Sequence, residues 1–176
     1  YGDHPETEVL HENIYCKPKS VYATSKLACE YLLMNYAQPK GIKWNALRMF
    51  SVYGSGQDIS SPDHGIVGIF MNMLMQSEIV EVQGRLDRFR DLIHINDVIL
   101  GWETCLFGNS FNRSFNLGTG TKTTISQLIE TLATVMNKTD KLQIKIIEST
   151  PGDLNGCCAD MSEISNRIKF EPQIRF

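Results

Sequence analysis

Basic residues form no stripe or cluster in this chain, long apolar runs are missing, and the cysteines never fall into a metal-binding spacing. The 17 Lys and Arg against 20 Asp and Glu leave a formal charge of −3, spread without blocks. Nothing here tracks a phosphate backbone, so no nucleic-acid partner is expected. The most apolar window, GIVGIFMNMLM at 65–75, is broken by Asn72. It falls well short of the roughly 20 residues needed to span a bilayer, so it reads as a buried helix and no membrane partner is expected. The opening YGDHPE has neither the basic n-region nor the apolar h-region of a secretory signal. Cys16, Cys29, Cys105, Cys157 and Cys158 are odd in number and lack C-x-x-C or Cys/His spacing. Reduced thiols in a cytoplasmic protein, with no metal site, are the expectation. Internal repeats, low-complexity tracts and Pro/Gly/Ser-rich linkers are also absent.

One further absence shapes the reading. A doubly wound nucleotide-binding domain opens with a strand, a Gly-rich turn and a helix whose N-terminus receives a pyrophosphate, and these 176 residues contain no such unit. The chain also begins without methionine and reads as the later part of a larger protein.

What is present is a regular alternation of helix and strand signals, with an apolar fraction of 42% that is enough for a core. Residues 20–37 read as a helix with Ser20 as N-cap, closed by Pro39 and Gly41. Ile42 to Phe50 reads as a strand ended by the turn-rich YGSGQ at 53–57. A helix at 65–76, the strand IVEVQ and the strand-like RDLIHI at 90–95 follow. NDVILGWETCLFG reads as a helix capped by Asn96 or Asp97 and stopped at Gly108. SFNLG is a short strand, TISQLIETLATVMN an amphipathic helix, and LQIKII a strand by alternation. Strand and helix in alternation predict an α/β layer architecture. LGTGTKTTI contains Gly118 and Gly120, the first two glycines of G-x-G-x-x-G, but Thr123 holds the third place. The preferred reading is a strand-to-helix turn capped by Thr123 or Thr124.

SVYATSK at 20–26 places Tyr22 and Lys26 four residues apart, on one face of the helix. A fixed ammonium beside a phenol favours the phenolate, which can exchange a proton with a substrate hydroxyl while hydride moves to or from a nicotinamide. Taken alone, such a pair is more often a solvated helix face.

The surroundings add to it. VYATSKLACE, then LRMFSVYGSGQ, then RFRDLIHINDV resemble, in order and spacing, the extended short-chain dehydrogenase/reductase family. These are the NAD-dependent sugar-nucleotide epimerases and dehydratases, including the UDP-glucose 4-epimerase-like members. FNLGTGTKTTISQLIETL and PGDLNGCCADMSEISNRIKFEP resemble the closing segments of that family, so the likeness covers essentially the whole chain, as a C-terminal portion. It implies a fold made of the later part of a Rossmann-like doubly wound domain plus the smaller C-terminal substrate-binding domain. Residues 1–60 would belong to the former and 61–176 mainly to the latter, with 90–120 returning to the Rossmann-like sheet.

The resemblance further implies that Tyr22 is the acid/base, that Lys26 holds the nicotinamide ribose, and that Phe50, Ser51 and Val52 pass beside the nicotinamide of NAD. Arg90 would contact the diphosphate of a nucleotide sugar, and Ser51 and Asp153 would also face that substrate. For Arg90 a local pair with Asp87 or Asp91 is an equal alternative, and Asp97 reads as a helix cap rather than a catalyst. Ser51 stands where the family usually has an asparagine, and Thr150 stands near the place of an arginine, which leaves room for a nucleotide other than uridine or an unusual sugar. A homodimer through the Tyr22 helix, with Leu27, Tyr31, Leu32 and Met34 in contact, is also implied; core packing would explain the same residues. A truncated, non-catalytic nucleotide-sugar-binding or dimerisation module is the competing function.

Overall fold

The computed structural model describes residues 1–2, 4, 9–59, 65–148 and 155–176. In chain order the elements are β1 Val9–Leu10, α1 Val21–Ala37, β2 Asn45–Met49, β3 Ser51–Tyr53, α2 Ile66–Gln76, β4 Ile79–Gln83 and β5 Phe89–Arg90. Then come β6 Leu92–His94, α3 Ile95–Phe107, β7 Arg113–Leu117, β8 Thr123–Thr124, α4 Ile125–Val135, β9 Gln143–Ile147, β10 Gly156–Ala159 and α5 Ser162–Ile168. The architecture is mixed α/β with parallel pairing throughout, except where β5 meets β8.

Local chemistry sets several boundaries. Ser20 is extended, and its hydroxyl accepts the Ala23 N–H at 3.0 Å, which starts α1. A 3₁₀ turn at Gln38–Lys40 and Gly41 at φ 65° end the segment. Thr124 caps α4 in a reciprocal box with Gln127, and α3 stops at Gly108. The strand expected from Ile42 begins at Asn45. RDLIHI is split into β5 and β6, because Asp91 between them turns its side chain to a different task. The cap of α3 is His94, whose Nδ1 accepts the Asn96 N–H at 3.2 Å, not Asn96 or Asp97.

Two apolar clusters hold the elements. On β4, Val80 and Val82 point inward while Ile79, Glu81 and Gln83 point out, as a period of two requires. They meet Val67, Phe70 and Leu74 of α2 and the buried stripe Ile125, Leu128, Ile129, Leu132 and Ala133 of α4. The second cluster joins Ile93, Val98, Cys105, Phe115, Leu117, Ile164 and Phe170. Here Gly101 lets α3 approach β7; a Cβ at that position would lie 2.6 Å from Leu117 Cδ1.

Strand 45–53 joins these parts. It pairs with β7 up to Met49, then changes partner: Phe50 N–H donates to Leu117 O and Ser51 N–H to Asp91 O, both at 3.0 Å, and β3 continues beside β6. Among the described residues, β2 has β7 on one side and no strand on the other. No helix among them is long and apolar enough to cross a membrane.

Candidate functional site

Helix α1 meets the sheet through a narrow stripe. Ala23, Leu27, Glu30 and Met34 are half-buried and Ala37 is its one buried residue. Tyr22 and Lys26 lie on the flank of that stripe, and Tyr22 is 71% exposed. They point the same way, as their spacing requires, with Lys26 Nζ 5.2 Å from the centroid of the Tyr22 ring. The neighbouring hydroxyls are spent on the helix itself: Ser25 Oγ donates to Tyr22 O at 2.8 Å and Thr24 Oγ1 to Ser20 O at 3.0 Å. The flank therefore presents one phenol and one ammonium.

Phe50, Ser51 and Val52, the other expected cofactor neighbours, are half-buried at the partner change in strand 45–53. With the Phe50 and Ser51 amides already donating, this segment offers a site its side chains. The Phe50 ring lies 6.3 Å from that of Tyr1.

Arg90 sits on β5 between β10 and β8, opposite Cys157 and Thr123. Its Nη1 donates to Phe89 O at 2.8 Å. Of the two local carboxylates considered as partners, Asp87 pairs with Arg85, and Asp91 accepts backbone N–H groups. Lys122 lies 5.1 Å over the Phe89 ring. Burial, and then the Arg90 charge, push the Arg88 guanidinium below its ordinary range. Asp153 and Thr150 lie outside the described residues.

Asp91 organises this region, and sequence reading saw it only as a potential partner of Arg90. It is fully buried. Oδ1 accepts the Thr119 N–H at 2.8 Å and the Thr119 hydroxyl at 2.7 Å; Oδ2 accepts the N–H groups of Gly120 at 2.9 Å and Ala159 at 3.0 Å. The turn that imitates a phosphate-binding loop thus cradles a carboxylate of its own chain. Gly118 is needed for that approach, since a Cβ there would lie 2.6 Å from Asp91 Oδ2. Asp97 likewise serves its own chain: buried in α3, it accepts the N–H groups of Gln173 at 3.1 Å and Ile174 at 3.0 Å. No local pattern could have revealed either role, because the partners lie far away in sequence.

The structure thus ties Ser51 directly to Asp91, the residue after Arg90. Tyr22 and Lys26 are tied to the same strand less directly, through Glu30 of their own helix, which meets Arg48. The two hollows that stand out on the surface lie elsewhere, one between α2 and α4 at Leu74, Glu78 and Lys141, the other at the first turn of α1 at Pro18, Val21 and Thr24. Neither is lined by Tyr22, Lys26, Ser51 or Arg90, so the chemistry of the side chains is the better guide to the site.

A family model described as GDP-mannose 4,6 dehydratase matches residues 1–176. The chain belongs to this family. It is 27% identical over 179 aligned residues to UDP-glucuronic acid decarboxylase 3 of Arabidopsis thaliana, covering 99% of this chain and 51% of that protein. Among solved structures, it superposes with a TM-score of 0.90 and 28% identity on a UDP-N-acetylglucosamine 4-epimerase of Methanobrevibacter ruminantium in complex with UDP-N-acetylmuramic acid, covering 98% of this chain and 54% of that one. The corresponding figures for the Thermus thermophilus UDP-glucose 4-epimerase in complex with NAD are 0.85, 29%, 100% and 56%. The chain spans about half the length of the relatives it matches. The likeness also places it among the sugar-nucleotide epimerases and dehydratases of the extended short-chain dehydrogenase/reductase type, with their Rossmann-like fold.

Proposed function

We propose that the chain is the acid/base and substrate-binding portion of an NAD-dependent nucleotide-sugar epimerase or dehydratase. The observation that carries the reading is the Tyr22–Lys26 pair, an ammonium beside an exposed phenol on the flank of α1, in a chain of this family. Residues 1–60 are assigned to the Rossmann-like domain and 61–176 mainly to the substrate region, with 90–120 returning to the sheet.

The donor set fits a nicotinamide riboside: Lys26 supplies N–H donors for ribose hydroxyls, and the half-buried Phe50, Ser51 and Val52 supply a largely apolar edge for the ring. NAD, when bound, supplies the hydride acceptor and donor. Tyr22, with the Lys26 ammonium beside its ring, takes the proton from a sugar hydroxyl and later returns it. Arg90 grips the diphosphate through a guanidinium fork, while Ser51 and Asp153 contact the sugar nucleotide. The substrate class is a nucleoside-diphosphate sugar, as in the names of the relatives. Replacing Tyr22 by Phe in the full-length protein is expected to abolish turnover and leave the melting temperature unchanged. Normal turnover in that variant would sink the assignment.

The second reading is a non-catalytic nucleotide-sugar-binding or dimerisation module. The exposed apolar side chains of α1 favour it, with Val21 at 88%, Leu32 at 68% and Tyr36 at 63% exposure. A second copy of the chain on that helix is the partner both readings share. Calorimetric titration of the 176-residue chain separates them in part: nucleotide-sugar binding without NAD supports a substrate-binding portion, and no binding of either supports the dimerisation module.

A further inference from the structure

Helix α1 is held to the sheet weakly by apolar contact and strongly by one polar clamp. Its single buried residue, Ala37, lies at the end opposite Tyr22. Between them, Tyr22, Lys26 and Glu30 fall at i, i+4 and i+8, one line running from the exposed flank to the sheet. At its inner end Glu30 meets Arg48 of β2 in a two-pronged pair: Arg48 Nε donates to Oε1 at 2.9 Å and Nη2 to Oε2 at 2.8 Å. Ser114 Oγ of β7 also donates to Oε2, at 3.2 Å. The guanidinium is pinned from its other side, where Nη1 donates to Glu12 O at 3.0 Å and the Tyr1 ring centroid lies 4.8 Å away. With side chains only 18% and 24% exposed, the pair is shielded, unlike an ordinary surface ion pair. Burial opposes the Arg48 charge, but its contacts with Glu30 and Tyr1 outweigh that and raise its pKa.

We infer that the Glu30–Arg48 pair is a positioning device for the acid/base helix. The planar fork fixes the rotation of α1 about its axis and its height along β2, and so fixes where Tyr22 and Lys26 stand relative to Phe50 and Ser51, two and three residues beyond Arg48. This rests on the reading of Tyr22 as acid/base. Lysine at position 48 would keep the charge and lose the fork, and glutamine at 30 would keep the shape and lose the charge; neither touches substrate or cofactor in this scheme.

The test compares Arg48→Lys, Glu30→Gln and the milder Ser114→Ala with the parent in the full-length protein supplied with NAD and a nucleotide sugar that it turns over. Misplacement of a reacting group by about 1 Å can cost on the order of 100-fold. Accordingly kcat is expected to fall roughly 10- to 100-fold in the first two variants, with KM changed less than about twofold. Ser114→Ala should give a smaller fall in kcat in the same sense. The deuterium isotope effect on the transferred hydrogen should rise in all three, and the charge-reversed double variant Glu30→Arg/Arg48→Glu should recover part of kcat. The inference is overturned if all three variants keep parental kcat and isotope effect, or if activity falls only in proportion to the folded fraction seen by circular dichroism. Should Arg48→Lys fail to fold, Ser114→Ala alone decides on the same readouts. Tyr22→Phe with full turnover overturns the acid/base reading itself; an inactive Tyr22→Phe beside unchanged clamp variants overturns only the positioning role.

Discussion

Asparagine at position 91 is expected to remove a large share of the stability of this chain. The Asp91 carboxylate is fully buried and accepts from four N–H and O–H donors, two at each oxygen, with the Cys158 thiol 3.8 Å from Oδ2 as a weaker fifth. Asparagine has nearly the same shape but one acceptor oxygen. If that oxygen faces Thr119, the amide nitrogen faces the N–H groups of Gly120 and Ala159; in the reverse orientation it faces the Thr119 N–H, while the Thr119 hydroxyl can turn to accept from it. Either way at least one donor loses its acceptor, and with Ala159 buried, Thr119 half-buried and Gly120 exposed the loss is roughly 1–4 kcal/mol. Against a typical total of about 5–15 kcal/mol this is severe. Urea unfolding of the 176-residue chain, followed by far-ultraviolet circular dichroism, should show it. With a slope of roughly 2 kcal/mol per molar urea, the midpoint should drop by about 0.5–2 M. Thr119→Val removes the hydroxyl that donates to Asp91 and accepts the exposed Thr121 N–H, and should cost less, about 1.5 kcal/mol. An Asp91→Asn midpoint within about 0.3 M of the parent, at unchanged slope, would refute the claim that this carboxylate ties the Gly118–Gly120 turn to β10.

Two further predictions concern other buried groups. Burial, and then the nearby Asp91 carboxylate, push the Cys158 thiol from 9.0 up to about 12. Between those values the unfolded chain releases a proton that the folded chain keeps, so stability should fall as pH rises through this window. Denaturant midpoints across the alkaline range should fall less steeply in Cys158→Ala than in the parent. Asp97→Ala removes the acceptor of Gln173 and Ile174 N–H and loosens the tail whose Phe176 ring packs 5.1 Å from Tyr53. Carboxypeptidase should then trim the C-terminus faster than in the parent, with a loss of about 2–4 kcal/mol in unfolding free energy.

The helices were the most legible part of the sequence. Ser20 and Thr124 with Gln127 act on amides within a turn of themselves, and a Cβ at Gly108 would lie 2.6 Å from Thr104 O one turn back, so residue type alone carries the signal. The i, i+3, i+4 stripe of α4 and the alternation of β4 announced their buried faces for the same reason. The resemblance that singled out Tyr22 and Lys26 could be read because their spacing on a helix already sets them side by side.

Other assignments failed where the deciding partner was remote. Asp97 was read as a cap because it stands at the start of a helix, yet it serves amides 76 and 77 residues away. Asp91 was read against its neighbour Arg90, while its ligands come from 28 and 68 residues further on. Glu30 and Arg48 carried no motif at all until β2 placed a guanidinium under the third turn of α1. By itself the sequence determined which segments coil or extend, and that a phenol and an ammonium share one helix flank, because those outcomes depend on contacts within a few residues. Tertiary structure alone decided which buried carboxylate receives which amides, and where strand 45–53 exchanges β7 for β6. Such choices depend on separate segments meeting in space, and a donor left without its acceptor in the interior costs too much for the fold to leave them open.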